Sequence, residues 1–124
     1  MNLQTWEEVQ RLTSEYGPPR FVSKKYVRFQ TGERYAEIRF FDHGVIGNIM
    51  LGYIKSNGKE ITHCDSGPSF TEFYPDGALY CRHYHHNGLT HRTDGPAIEK
   101  FEKNGHCRYK AYYIDGVEKS VTRD

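Results

Sequence analysis

Hydrophobic and polar positions alternate along the second half of this chain in short bursts separated by Asx-Gly pairs, and the pattern is written twice. His91, Gly95, Pro96, Phe101, Gly105, Tyr112 and Gly116 each stand 28 residues after His63, Gly67, Pro68, Phe73, Gly77, Tyr84 and Gly88. Near-matches keep the register: Asp76-Gly77 becomes Asn104-Gly105, Asn87-Gly88 becomes Asp115-Gly116, and Arg82 becomes Lys110. Asx-Gly pairs supply the positive φ angles of hairpin turns. The aromatic and β-branched runs between them read as strands. One unit is therefore Gly-Pro, a strand over 69–74, an Asp-Gly turn, a strand over 79–85, an Asn-Gly turn and a connector. A hairpin of this size does not bury its own apolar face, so the copies must stack side by side.

Upstream the same grammar is looser. Val27-Arg28-Phe29 leads to a turn at Thr31-Gly32, and 35–41 is a strand followed by Asp42-His43-Gly44. A long strand over 46–54 carries Gly47 and Gly52 as bulges or points of close approach. Asn57-Gly58 before Thr62-His63 echoes Asn87-Gly88 before Thr90-His91. Residues 20–62 thus read as degenerate copies, giving about three units. Helical spacing appears over 5–16, where Trp6, Val9, Leu12 and Tyr16 form one apolar stripe. Thr5 is the expected N-cap, Glu8 closes a capping box, and Glu7 and Glu8 sit at the positive end of the helix dipole. Gly17 and Pro18-Pro19 stop the helix. It should cap one end or face of the sheet, with Trp6 as a partner anchor the alternative role. The tail after Val117 is polar and either frays or forms a last edge segment. The expected fold is mainly β: an antiparallel β-hairpin repeat sheet with one N-terminal capping helix. It is a single domain over 1–124, divided into the cap (1–19), degenerate repeats (20–62), two clear repeats (63–118) and a tail (119–124).

Composition narrows the partners. Net charge is +1, so nothing global marks a nucleic-acid binder. Hydrophobic residues make up only 36% of the chain while aromatics reach 15%, which suits thin sheets covered by amphipathic rings. Three cysteines (Cys64, Cys81, Cys107), no Cys-x-x-Cys pair and no signal peptide predict free thiols in a reducing cytoplasm. No apolar run approaches membrane-spanning length, so the expectation is a soluble protein with no membrane partner.

At His91-Arg92-Thr93-Asp94-Gly95-Pro96-Ala97 the chain resembles the MORN-variant-like repeats of bacteriophage and bacterial reading frames. Units of that family carry an HR-x-DGPA phrase, a strand, a turn, an aromatic strand and another turn. The full phrase occurs once here. His63-Cys64-Asp65-Ser66-Gly67-Pro68-Ser69 is a weaker copy, with Ser66 where Asp94 stands. The resemblance covers 63–118 well and 20–62 poorly, and 1–19 lie outside it. It implies an antiparallel β-repeat fold, a phage or prokaryotic source and protein binding, and it implies no catalytic residues.

The chemistry-bearing residues concentrate in the repeats. His63, His83, His85, His86, His91 and His106 crowd this region with all three cysteines. On a strand, Cys81, His83 and His85 point to one face, so a metal-binding protein through this His/Cys cluster is one alternative. Against it, the spacing matches no zinc signature, and the three positions align with Tyr109, Ala111 and Tyr113. The expectation is no metal and no cofactor. His63 and His91 recur once per unit, which suggests a structural hydrogen bond to a turn carbonyl, since a catalytic base is needed only once. Asp94 should cap its own turn. No nucleophile elbow, Cys-His pairing or phosphate loop is present, so no enzymatic activity is expected. Arg82, Tyr84, Lys110 and Tyr112 are in phase, and a basic-aromatic ladder of this kind makes a single-stranded nucleic-acid binder a further alternative. The run from Tyr80 to Arg92 has no carboxylate and no Lys, the composition of an interface core. Tyr80, Arg82, His85, His86 and Arg92 are the candidate partner contacts, with Tyr84 assigned to the core. The favoured expectation is a non-enzymatic protein–protein binding module. It would be phage-encoded and act in the host cytoplasm by occupying a surface of a host protein, such as a defence or nucleic-acid-processing complex. Open sheet edges also allow a homodimer.

Overall fold

A computed structural model describes residues 3–124, with side chains described from Thr5 onward. Helix α1 (Leu3–Tyr16) leads into β1 (Phe21–Val22), β2 (Tyr26–Thr31), β3 (Arg34–Phe40), β4 (Ile46–Ile54) and β5 (Glu60–Thr62). The repeat region supplies β6 (Phe70–Phe73), β7 (Leu79–His83), β8 (His85–His86), β9 (Leu89–Thr90), β10 (Ile98–Phe101), β11 (Cys107–Ile114) and β12 (Val117–Arg123). The protein is mainly β. One antiparallel sheet runs in chain order β1-β2-β3-β4-β6-β7-β10-β11-β12, β5 folds back on β4, and β8–β9 form a small separate hairpin.

Residues directly opposed in an antiparallel ladder share a face, so a single row can be followed across the sheet. Val27, Ile38, Ile49, Thr71, Arg82, Glu99, Lys110 and Thr122 are successive partners. The row begins apolar, where α1 packs on β2 and β3, and Leu12, Tyr16, Val27, Phe29, Ala36, Ile38 and Ile46 form the buried cluster. It ends polar and charged, where no helix lies. The opposite face runs the other way, from Arg28 and Glu37 to Phe70, His83, Ile98, Ala111 and Val121. Its charged end is internally satisfied: Arg28 Nη1 and Tyr26 Oη donate to Glu37 Oε1 at 2.6 and 2.7 Å.

Two turn types recur along the chain. In one, a residue donates its N–H to the carbonyl four on and accepts from a glycine three on. This closes loops at Phe41–Val45, Lys55–Lys59, Tyr74–Ala78 and Glu102–His106. Only the glycine has positive φ there, and in the last three the Asx side chain accepts the amide two residues on. In the other, both turn residues have positive φ: Asn87 (51°) with Gly88 (83°), and Asp115 (47°) with Gly116 (82°). Asn57-Gly58 belongs to the first type and Asn87-Gly88 to the second, so the expected echo between them is one of sequence and not of backbone. The same β-bulge immediately precedes Phe40, Phe73 and Phe101, leaving Gly47, Tyr80 and Arg108 on the facing strand without a ladder partner.

Three expectations change. The helix begins at Leu3, so Thr5 lies inside it and is not its N-cap, and neither Glu7 nor Glu8 falls in the first turn. Thr5 is 1% exposed and its hydroxyl donates to the Gly44 carbonyl at 3.4 Å, while Glu8 pairs with Arg11. The buried stripe therefore runs Thr5, Val9, Leu12, Tyr16, and Trp6 is turned out at 50% exposure. The strand expected over 79–85 stops at His83, because Tyr84 leaves the β10 ladder: its N–H goes to Ala97 and its carbonyl accepts His91 N–H. Of the two roles open to the tail, the structure shows the last edge segment: it forms most of β12, paired along β11 from Ile114 back to Tyr109. Gly17, at φ +86°, ends the helix as expected, its N–H on the Thr13 carbonyl.

Candidate functional site

The two connectors between strands, 63–69 and 91–97, lie side by side, and each is pinned by its histidine. The Asn87 N–H donates to His63 Nδ1 at 2.9 Å, and the Asp115 N–H donates to His91 Nδ1 at the same distance. The recurring histidines are thus structural, but they accept from a turn amide and do not donate to a turn carbonyl. The reason is the turn itself. The first residue of each turn presents its amide to the adjacent connector, where the ring nitrogen accepts it. Neighbouring backbone bonds repeat too, Gly88 N–H on Thr62 and Gly116 N–H on Thr90.

An acceptor at Nδ1 fixes the neutral tautomer: the ring proton sits on Nε2. His63 Nε2 accordingly donates to Asp65 Oδ1 at 2.9 Å. Asp115 Oδ1 lies 3.3 Å from the same His91 nitrogen that takes the Asp115 amide. The amide contact is shorter and has the same length in the other copy, where Asn87 Oδ1 instead accepts from Tyr53 Oη, so the amide assigns the tautomer. Aromatic rings then pack in file along the connectors, edge-on or tilted. Tyr53–His63, His63–His86 and His86–His91 have centroids 5.5, 4.9 and 5.7 Å apart.

Between the connectors is a groove of about 500 Å³ lined by Asp65, Tyr84, His85, His86, His91 and Arg92, with Cys64, Thr93 and Asp94 at its edge. Arg92 spans one wall. Its guanidinium lies 4.0 Å over the Tyr84 ring, Nε donates to Asp94 at 3.0 Å, and Nη1 donates to the Pro96 carbonyl at 3.1 Å. Gly95 permits this, since a Cβ there meets the guanidinium at 3.0 Å. Asp94 therefore holds Arg92 and does not cap its own turn. A second groove, of about 350 Å³, separates the 63–66 connector from the end of α1 at Glu15 and Tyr16.

Of the five candidate contacts, His86, Arg92 and His85 line the first groove. Arg82 lies on the same face as Arg92, and both reach Glu99 Oε1, at 3.2 and 3.6 Å. Glu99 is 9% exposed; it is held by charge from both arginines without a well-aligned hydrogen bond to Oε1. Tyr80 stands apart at the bulge, its ring 5.1 Å from Tyr74. Tyr84 is half-buried under Arg92. The expected Arg82–Lys110 ladder is interrupted, because Glu99 is the direct partner of both.

His83 and His85 stack at 6.0 Å and 8°, and His85 Nδ1 lies 2.5 Å from the hydroxyl of Ser69. Burial pushes both imidazoles below their ordinary value, the neighbouring charges of His85 and Lys100 adding to this at His83. Burial also raises the Cys81 thiol to about 11, so it is no thiolate at neutral pH. Ser69 has no accessible surface and offers no nucleophile to an external substrate. Among the described residues the group with metal-ligand proximity is His63, Asp65 and His86, all donor atoms within 4.8 Å, and not the Cys81–His83–His85 set. The tautomer opposes ligation. His63 Nε2 offers a lone pair only if the proton moves to Nδ1, which breaks the bond from Asn87. His63, Asp65, His91 and Asp94 were not singled out as contacts from sequence. Asp65 aligns with Thr93, so the repeat register hides it, whereas the recurrence of His63 at His91 did mark a shared structural role.

No family model, no curated protein and no solved structure matches this chain. Among the described residues no helix is long and apolar enough to cross a membrane.

Proposed function

We propose that this chain is a non-enzymatic protein-binding module whose partner seats on the connector groove and the adjoining Arg82–Glu99 surface. The carrying observation is the groove, walled by Arg92 over Tyr84 and by the exposed His86, on the half of the sheet face that α1 leaves bare. Arginine and aromatic side chains pre-ordered by packing are the usual anchors of an interface, because they lose little side-chain entropy on binding. The resemblance to phage and bacterial repeats favours a host protein as that partner, for instance a defence or nucleic-acid-processing complex. Immobilised full chain should retain one protein at near-stoichiometric yield from a lysate of the organism that encodes it or, for a phage gene, of its bacterial host. His86→Glu should cut that yield at least tenfold. Equal capture by the variant removes the groove from the interface.

One observation keeps the nucleic-acid reading in play. On the opposite face Lys100 and Arg123 both approach the Tyr109 ring, at 5.0 and 5.4 Å, and these three are successive ladder partners. A titration of oligothymidine against salt tests it. A steep loss of affinity with salt supports phosphate contacts, and no binding at low salt excludes them.

A further inference from the structure

The two connectors carry the same histidine-to-turn bond, but only one ring has its second nitrogen satisfied. His63 Nε2–H meets Asp65. Thr93 stands 28 residues after Asp65, and no described residue accepts from His91 Nε2. That ring is 20% exposed and lines the groove. Arg92, on the same wall, has Nε and Nη1 occupied, and its Nη2 has no hydrogen-bond partner among the described residues. Neither atom is walled off from solvent, since neither is among the buried polar atoms left without a bond.

We propose that His91 Nε2–H and the Arg92 guanidinium form a carboxylate site, completed by an acidic side chain of the partner protein. The first copy supplies the template: the group that satisfies this donor at 2.9 Å is an aspartate. The second copy retains the donor, loses the aspartate and places an arginine one residue beyond the histidine, where the first copy has Cys64. A guanidinium beside an N–H is a matched donor set for a carboxylate. Of the carboxylates nearby, Asp65, Asp94 and Asp115 are 81%, 84% and 70% exposed, where solvent and salt screen their repulsion, and the buried Glu99 is shared with the second guanidinium of Arg82. At His91 itself a bound cation fits less well, because its tautomer leaves an N–H and no lone pair at Nε2. The inference rests on the groove being partner-facing, but its test needs no partner.

The test uses the full chain and two blocked tripeptides, acetyl-Gly-Asp-Gly-amide and its Asn counterpart, at constant ionic strength. Long-range proton–nitrogen NMR of the imidazoles reads the tautomer of His91 directly. The expected result is the Nε2–H form and a saturable shift of the His91 ring with the Asp peptide, at least tenfold weaker with the Asn peptide. In Thr93→Asp, checked for an unchanged backbone spectrum, the chain's own carboxylate should fill the site and weaken the Asp-peptide response at least tenfold. A His91 protonated on Nδ1, equal responses to the two peptides, or a folded Thr93→Asp variant that responds like the parent overturns the proposal. If Thr93→Asp does not fold, the peptide pair on the parent chain decides. Capture of a host protein with no peptide response removes the carboxylate site alone, whereas a peptide response without capture removes the partner reading.

Discussion

The half of the sheet under α1 and the half beyond it share one kind of hairpin turn and one kind of β-bulge, yet they are stabilised differently. Under the helix one row reads Val27, Ile38, Ile49, and Phe29 and Leu12 are fully buried beside it. Beyond it the same row reads Thr71, Arg82, Glu99, Lys110, and the fully buried positions are small: Ser69, Cys81, Ala97 and Ala111. The covered half rests on area removed from water. The bare half rests on backbone pairing, glycine turns, cation–π contacts and the histidine pins. A hairpin kept for geometry can thus serve as core in one part of the sheet and, on the function proposed above, as docking face in another.

The largest expected effect separates the halves directly. Phe29→Ala opens a cavity under α1 and should cost about 3–5 kcal/mol in urea unfolding. Phe101, half-buried beneath the Arg82 guanidinium 5.0 Å above its ring, occupies a bulge-flanking position in the bare half. Phe101→Ala should cost about half as much, since less area returns to water. Equal losses would mean the bare half is covered after all.

Glycines give the next contrast. A Cβ at Gly52 meets the Ile61 carbonyl at 2.2 Å and the Tyr35 ring at 2.8 Å, where β5 folds back on β4. Gly52→Ala should destabilise by about 1–3 kcal/mol. Gly67 has open space around it and no unusual φ, so Gly67→Ala should stay within about 0.5 kcal/mol. Thermal or urea midpoints of the two variants check both. A costly Gly67→Ala shows that the first connector is tighter than its geometry indicates.

Much of this architecture was legible in sequence because turns are read one residue at a time. Asx-Gly pairs, Gly-Pro steps and the 28-residue spacing marked the strands of the repeat region, and Ile46–Ile54 matches the expected bounds of β4. What sequence could not supply was the choice between two turn types that share the Asn-Gly spelling, which depends on φ at the first residue. Nor could it show where β7 yields at Tyr84, because that break follows from a bond to His91 seven residues on. The site was half legible. Lack of acids marked 80–92, and His86 and Arg92 do line the groove, but Tyr80 is displaced by the bulge and Asp65 comes from a copy that the alignment scores as a mismatch.

Acid should act on the bare half through two rings. His83 and His85 are held neutral by burial, so their folded values fall below the ordinary 6.5. The unfolded chain then binds more protons than the folded one as pH drops through 6.5 and below. Their stabilising effect is complete above that pH and is lost on acidification, by at most about 1.4 kcal/mol per pH unit for each histidine. Urea midpoints should fall between pH 7.5 and 5, and His83→Phe should flatten that fall. An unchanged pH slope in His83→Phe assigns the acid sensitivity elsewhere.

The smallest effect is the most specific test of how α1 sits. Hydrophobic spacing puts Trp6 in the apolar stripe, but the helix starts at Leu3 and the buried position is Thr5, one residue and about 100° away around the helix axis. Trp6→Ala should therefore change stability by no more than about 0.5 kcal/mol, whereas Leu12→Ala on the same helix should cost about 2–5 kcal/mol. If the tryptophan variant falls as far as the leucine one, the helix is rotated toward the stripe that spacing predicts. Thr5 then no longer reaches the Gly44 turn, and the covered half is held by a different set of contacts.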